Sequence, residues 1–329
     1  MAKIAVEFEH LAARGIPGSR PGRPARRILA QGDGWRVSDV ICNAGPHDRA
    51  FEEQHADVCI AVVIEGSFQY ESSAGRELMT PGALLLGNAR QYFKCGHEHG
   101  VGDRCIAFAY EPEHFERLAS ETGMRGRRAR FSGLRVPPVR ELSGLIARAC
   151  ARLAESDDRA IGRGKSTFTP GAEKLASSPL DLASVPNAGA PEWEEIGVEL
   201  AGRALKMANG GEPSRGSSPA VEARVTRIVR MVECHPGAQH GLTALAQEAG
   251  LSRYHFLRIF QRLTGLTPHQ YILRARLRRA ATHLAREQER VLDIALDSGF
   301  GDVSNFNHAF RTEFGVSPRL YRLRSAFKV

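Results

Sequence analysis

Nowhere does the sequence approach the roughly 18 uninterrupted apolar residues of a membrane-spanning helix, so neither a membrane span nor a membrane partner is expected. Between Met1 and Arg20 it carries Glu7, Glu9 and His10 where a secretory signal would need an apolar core, and the expected location is the cytoplasm. Cysteine is scarce: Cys42, Cys59, Cys95, Cys105, Cys150 and Cys234, spread over 329 residues, do not build a disulfide framework. In a reducing compartment most are expected to be small buried hydrophobes, Cys59 within "VCIAVVI" being the clearest of them. No Ser/His/Asp set, phosphate-binding loop or dinucleotide fingerprint stands in supporting context, so no catalytic residue is assigned and an enzyme is not expected.

What the sequence does have is an uneven distribution of charge. With 42% hydrophobic and 25% charged residues, the chain is long enough for two soluble globular domains, each with its own core. From Val221 to Val329 it holds 17 of its 45 Lys and Arg but only 9 of its 37 Asp and Glu, leaving 28 of each sign for residues 1–220. The whole net charge of +8 thus sits in the last third. A neutral part joined to a basic part fits a sensing or catalytic domain attached to one that binds a polyanion.

Composition then divides the chain. Residues 1–34, rich in Gly, Pro and Arg ("RGIPGSRPGRPARR"), read as a flexible N-terminal arm. From Trp35 to Tyr110, short apolar runs such as "VCIAVVI", "FQYES", "ALLLGN" and "RCIAFAY" alternate with turn residues, among them Glu65-Gly66 and Pro81-Gly82. This spacing predicts an antiparallel β sandwich or small barrel. Two helical patterns follow. The second places Val139, Leu142, Leu145, Ile146, Ala149 and Leu153 at helical spacing, a stripe suited either to a dimer interface or to packing within the chain. Residues 155–190 lack any period and read as a disordered loop, and "PEWEEIGVELAGRALKMA" is one more amphipathic helix. "NGGEPSRGSSP" opens a linker, 209–221, so 35–208 is expected to be one domain and 222–329 another.

The last of these contains a repeat. Ser252, Phe256, Phe260, Gly265, Pro268 and Tyr271 are matched 50 residues later by Asp302, Phe306, Phe310, Gly315, Pro318 and Tyr321, all but the first pair identical in type. Upstream, Leu245-Ala246 and Gly250 are echoed by Ile294-Ala295 and Gly299 at an offset of 49. Two copies of one supersecondary unit are implied. In each, a short helix ends at a glycine able to take a left-handed conformation, and Ser252 or Asp302 caps a second helix. This is helix-turn-helix spacing. It leaves Arg253, Tyr254, His255, Leu257, Arg258, Gln261 and Arg262 outside in the first copy, and Val303, Ser304, Asn305, Asn307, His308 and Arg311 in the second. Thr267 caps, and Pro268 begins, a long basic helix that joins the two.

With these residues in place, positions from about 222 to 329, including "GFGDVSNFNHAFRTEFGVSPRLYR", resemble the DNA-binding domain of the AraC/XylS family of transcription regulators. The resemblance implies an α+β protein: an N-terminal cupin-like β barrel with helices, and a C-terminal all-α domain whose two helix-turn-helix units enter successive major-groove segments. Carried over position by position, it implies base reading by Tyr254, Leu257 and Arg258 in the first helix and by Val303, Ser304, Asn305, Asn307 and His308 in the second. Arginine suits guanine, asparagine suits adenine, and Val303 or Leu257 suits a thymine methyl. Arg253, Arg262, Arg274, Arg276 and Arg311 are the expected phosphate contacts.

The resemblance is looser in the N-terminal part. His55, Gly66 and Pro81-Gly82 follow a cupin in coarse pattern. A metal-binding cupin would also offer a His-x-His pair and a Glu, whereas this chain has only His47 and His55 with Glu52 and Glu53 between them. The densest set of ligand types is instead "YFKCGHEHGVGDRC", residues 92–105. Cys95, His97 and His99 alternate, so on a strand they share a side, and Cys105 would complete a four-ligand site for zinc or another transition metal. The same residues also fit a reversibly oxidised Cys95–Cys105 pair, or a plain hairpin turned at Gly100-Val101-Gly102-Asp103 with an Asp103–Arg104 ion pair. "HEH" lacks the His-Glu-x-x-His spacing of helical zinc hydrolases.

The reading that follows is a one-component regulator. Residues 35–208 sense a small-molecule or metal effector and form a homodimer, and 222–329 bind double-stranded promoter DNA and act on RNA polymerase, activation being the outcome the resemblance implies. The alternatives are a cupin-type metalloenzyme tethered to DNA, and a regulator responding to metal or oxidation through the Cys95–Cys105 loop.

Overall fold

A computed structural model describes residues 24–97, 102–121, 129–162, 169–170, 190–208, 218–286 and 289–326. The chain divides into two compact units, Met1–Pro137 with Leu153–Gly216, and Pro138–Arg152 with Ser217–Val329. The boundary is not the one composition suggests, because Pro138–Arg152 belongs with the C-terminal residues.

The N-terminal unit is built on two antiparallel sheets. Its strands are β1 (Ala25–Gly32), β2 (Trp35–Cys42), β3 (Phe51–Gln54), β4 (Val58–Gly66), β5 (Phe68–Ser72), β6 (Gly75–Met79), β7 (Leu84–Gly87), β8 (Tyr92–Gly96), β9 (Asp103–Tyr110), β10 (Arg135–Val136) and β11 (Thr169–Pro170). Seven of them form one sheet in the order β10-β7-β4-β9-β2-β1-β11, and four form another in the order β3-β8-β5-β6. The expected cupin-like barrel is therefore replaced, among the described strands, by two open sheets. The expected arm is also shorter than 34 residues, since Ala25–Gly32 pairs with Trp35–Ile41 as β1; the rest of the arm, residues 1–23, lies outside the described residues.

Period-two alternation sorts the side chains of the sandwich. Ala61 and Val63 of β4, Leu85 of β7 and Cys105 of β9 meet Phe68 and Tyr70 of β5, Met79 of β6, and Phe93 and Cys95 of β8 in one core. The opposite face of the large sheet is covered by helix. Phe108 and Tyr110 meet α3 (Ala190–Ala208), with Trp193 6.0 Å from the Phe108 ring and the Tyr110 hydroxyl donating to the Gly197 carbonyl at 2.8 Å. Beside α3 lies α1 (Pro112–Glu121), anchored by Phe115.

That outer face also holds a charge network. Asp39, fully buried, accepts from Arg27 at 2.9 Å and from two nitrogens of Arg104 at 2.9 Å each. Both arginines also reach Asp157 on α2 (Arg140–Gly162), so each buried charge has partners of opposite sign. Arg104 is thus paired with Asp39 and Asp157, not with Asp103. The expected disordered loop begins too early at 155, because α2 continues to Gly162; residues 163–168 and 171–189 lie outside the described residues. The apolar stripe on α2 is core: Leu142, Leu145, Ile146, Ala149 and Leu153 are all buried within the single chain, which leaves none of them for a dimer interface.

In the C-terminal unit the helices are α4 (Pro219–Cys234), α5 (Leu242–Glu248), α6 (Arg253–Thr264), α7 (Pro268–Arg286), α8 (Val291–Asp297), α9 (Val303–Phe314) and α10 (Pro318–Ala326). The expected linker 209–221 is shorter, since α4 begins at Pro219 behind Ser218. The repeat is realised atom for atom in its punctuation. Ser252 Oγ accepts from His255 N–H at 3.4 Å, and Asp302 Oδ1 accepts from Asn305 N–H at 2.7 Å. Gly265 and Gly315 close α6 and α9 at φ of 79° and 74°, a conformation that strains any residue with a Cβ. The turns inside the two helix pairs are also copies: Gly250 and Leu251 donate to Gln247 and Ala246, as Gly299 and Phe300 donate to Leu296 and Ala295.

Packing repeats with the turns. Phe256 and Phe260 lie 5.4 Å apart and Tyr271 meets Phe260 edge-on at 5.6 Å; Phe306, Phe310 and Tyr321 repeat this at 5.5 and 5.3 Å. The helix α7 serves both cores, burying Tyr271, Ile272 and Ala275 in its first half and Leu277, Ala280, Ala281 and Leu284 in its second. Thr267 and Gln270 cap α7 reciprocally, each backbone N–H donating to the other's side chain at 3.1 and 3.3 Å. Two helix pairs are thereby held on one rigid strut.

Candidate nucleic-acid interface

A helix pair of this kind buries the phenylalanines of its second helix and leaves the opposite side bare. On α6, Arg253, Tyr254, His255, Arg258, Gln261 and Arg262 are exposed and Leu257 is half-buried. The Arg258 guanidinium lies 5.7 Å from the centroid of the Tyr254 ring, which is 66% exposed, so stacking holds this arginine in reach of solvent without tying up its donors. On α9, Ser304, Asn305, Asn307, His308 and Arg311 are exposed and Val303 is half-buried. All eight residues expected to read bases are thus at least partly accessible.

Neither face presents an acidic side chain. The sequence of α6 has none, and Glu313 of α9 is turned inward, accepting from Ser143 and, at 3.1 Å, from Arg274 Nε. The carboxylate beside these faces is the exposed Asp302 cap of α9, engaged with Asn305 N–H, so a phosphate backbone meets mostly basic and amide groups on both helices.

The five expected phosphate contacts separate into two groups. Arg253, Arg262 and Arg311 are exposed on the two helices. Arg274 and Arg276 are half-buried and hydrogen-bonded within the unit. Arg274 donates to the Pro138 carbonyl as well as to Glu313, and its side chain is 17% exposed. Arg276 donates through Nε to the Pro236 carbonyl at 2.8 Å and through a terminal nitrogen to the Ala238 carbonyl at 2.9 Å, holding the loop between α4 and α5. Their periodicity on α7 looks the same as that of exposed arginines, and only the fold distinguishes them.

In the N-terminal unit the 92–105 segment supplies buried residues from the end of β8 and from β9. Cys95 is buried on β8, Cys105 is buried on β9, His97 follows directly after β8 and is 4% exposed, and His99 lies outside the described residues. The structure brings His97 to Asp103, Nε2 to Oδ1 at 2.6 Å, and to Cys42, a residue outside the expected ligand set. One ligand atom from each of Cys42, His97 and Asp103 lies within 4.8 Å of the other two. Cys42 arrives because it pairs across the ladder with Asp103, a register that no local pattern announces. Burial, with Asp103 adding to it, pushes the Cys42 thiol up to about 12, and burial pushes Cys95 and Cys105 well above the ordinary thiol range. His55, the residue at the cupin-like position, stacks on Phe93 at 4.2 Å with its Nε2 2.8 Å from the Tyr70 hydroxyl, and burial lowers it to about 4.

Among the described residues no helix is long and apolar enough to cross a membrane. Residues 245–324 match the family model described as "Helix-turn-helix domain". The chain is 32% identical over 99 residues to the HTH-type transcriptional activator AarP of Providencia stuartii, covering 30% of this chain and 73% of AarP. It is 37% identical over 98 residues to the activator RhaS of Klebsiella pneumoniae, covering 30% of this chain and 35% of RhaS, so the match spans about a third of that relative's length. The solved DNA-binding domain of AdpA, in complex with a target DNA, is 28% identical, covering 32% of this chain and 95% of that one with a TM-score of 0.31. The duplicated helix pair and the family model both lie in the basic third, the match to AarP covers nearly three quarters of that relative, and the chain belongs to the AraC/XylS family of transcription regulators.

Proposed function

We propose that this DNA-binding transcription regulator engages promoter DNA through two helix-turn-helix units, with α6 and α9 as the recognition helices. One observation carries the reading: two helix pairs with the same caps, turns and aromatic cores, fixed on α7, each exposing a face of basic and amide side chains without an acid. Tyr254, Leu257 and Arg258, and Val303, Ser304, Asn305, Asn307 and His308, contact base edges. Arg253, Arg262 and Arg311 contact phosphates, and Arg274 and Arg276 stabilise the domain. The N-terminal unit receives the signal, and a ligand that favours one state of the protein shifts the population competent for DNA. The names of AarP and RhaS support activation as the outcome, which requires contact with RNA polymerase.

The test is capture of genomic fragments by the full chain, followed by titration of an enriched site and a scrambled one at several salt concentrations. Affinity for the enriched site falls steeply with salt, with a log–log slope of about −0.9 for each phosphate neutralised. It exceeds affinity for the scrambled DNA by about a thousandfold or more. Equal affinity for both sequences would refute sequence-specific reading.

A further inference from the structure

We propose that Cys42, His97 and Asp103 form a binding site for a thiophilic divalent cation in the N-terminal unit, zinc being the ion whose preferred donors they match. The three supply one sulfur, one nitrogen and one oxygen, a set that zinc accepts in tetrahedral coordination. They come from separate places in the sequence, the end of β2, the residue after β8 and the start of β9, and converge with their ligand atoms within 4.8 Å of one another.

Three further features favour a cation at this place. The buried His97 Nε2 already faces Asp103 Oδ1 at 2.6 Å, so the nitrogen and the oxygen that would share the ion lie side by side. The charged groups acting on Cys42 are Asp103, Asp48 and Glu53, all acidic, so the field around the thiol favours a cation. A further sulfur is at hand, because Cys105 Sγ lies 3.4 Å from the second oxygen of Asp103. On binding, the Cys42 S–H bond breaks, its proton passes to solvent and the thiolate forms the sulfur–metal bond. Cys95 and His99 are not needed, which separates this site from the alternating set of the 92–105 segment.

The proposal does not depend on the DNA reading, because metal content is measured without DNA. Full-length protein purified without chelator is expected to carry about one zinc per chain. Chelator-stripped protein titrated with cobalt(II) is expected to develop a thiolate-to-cobalt charge-transfer band together with the visible bands of a tetrahedral ion. Cys42→Ser should remove most of the charge-transfer band and His97→Asn should weaken cobalt affinity at least tenfold, whereas Cys234→Ser, on α4, should change neither. A wild-type chain that takes up no stoichiometric zinc and shows no cobalt band overturns the proposal without any variant having to fold. An undiminished band in folded Cys42→Ser overturns the ligand assignment.

Discussion

Replacing Arg276 with alanine separates positioning of the domain from contact with DNA. Its guanidinium makes two charge-assisted hydrogen bonds, 2.8 Å to Pro236 O and 2.9 Å to Ala238 O, and these hold the loop between α4 and α5. Such bonds contribute roughly 1.5 kcal/mol or more each when shielded, and partial exposure of this side chain brings the pair to about 2 kcal/mol. For a unit of this size that corresponds to a fall in Tm of roughly 5–10 °C. The two units can be followed separately, because both tryptophans, Trp35 and Trp193, lie in the N-terminal one. Far-UV circular dichroism of Arg276→Ala should show the earlier loss of the C-terminal helices, while the tryptophan fluorescence transition stays in place. Well below the transition, DNA affinity should match wild type. An unmoved Tm, with affinity lowered equally on all sequences and a salt slope shallower by about one, would show that Arg276 neutralises a phosphate and would refute the reasoning.

Arg258→Ala should do the reverse, leaving Tm unchanged and reducing discrimination between the preferred site and a single-base variant by about 1–3 kcal/mol in competition binding; a uniform loss on every sequence would make it a phosphate contact. His55 has a folded-state pKa lowered by burial from 6.5 to about 4, so its contribution to stability is complete above pH 6.5 and is lost as the pH falls from there towards 4. Denaturant unfolding of the N-terminal unit, read by tryptophan fluorescence, should lose up to about 3 kcal/mol across that interval, and His55→Gln should remove this component of the slope.

The C-terminal helices were legible because every signal needed was local. Caps at Ser252 and Asp302, stops at Gly265 and Gly315, and starts at Pro268 and Pro318 fall where the structure has them, and doubling the pattern made it secure. The same locality limits what could be read. Arg274 and Arg276 have the spacing of solvent-facing arginines, but the carbonyls that claim them belong to Pro138, Pro236 and Ala238, which only packing brings near. In the N-terminal part, the short apolar runs announced strands without saying how they pair. A sandwich of seven and four strands and a barrel have the same period-two alternation and differ only in which edges join. The arm and the loop were drawn too long because Gly, Pro and Ser composition masked the ends of β1 and α2.

By itself the sequence determined that this is a two-part protein with a duplicated, capped helix pair in its basic third, since helix periodicity, capping and charge are properties of neighbouring residues. The tertiary structure decided which arginines face outward, which charges are buried around Asp39, and that His97 and Asp103 meet Cys42 rather than a ring of their sequence neighbours. Those outcomes depend on strand register and helix docking, where residues far apart in the chain compete for the same partners, and that competition is settled only when the whole fold has closed.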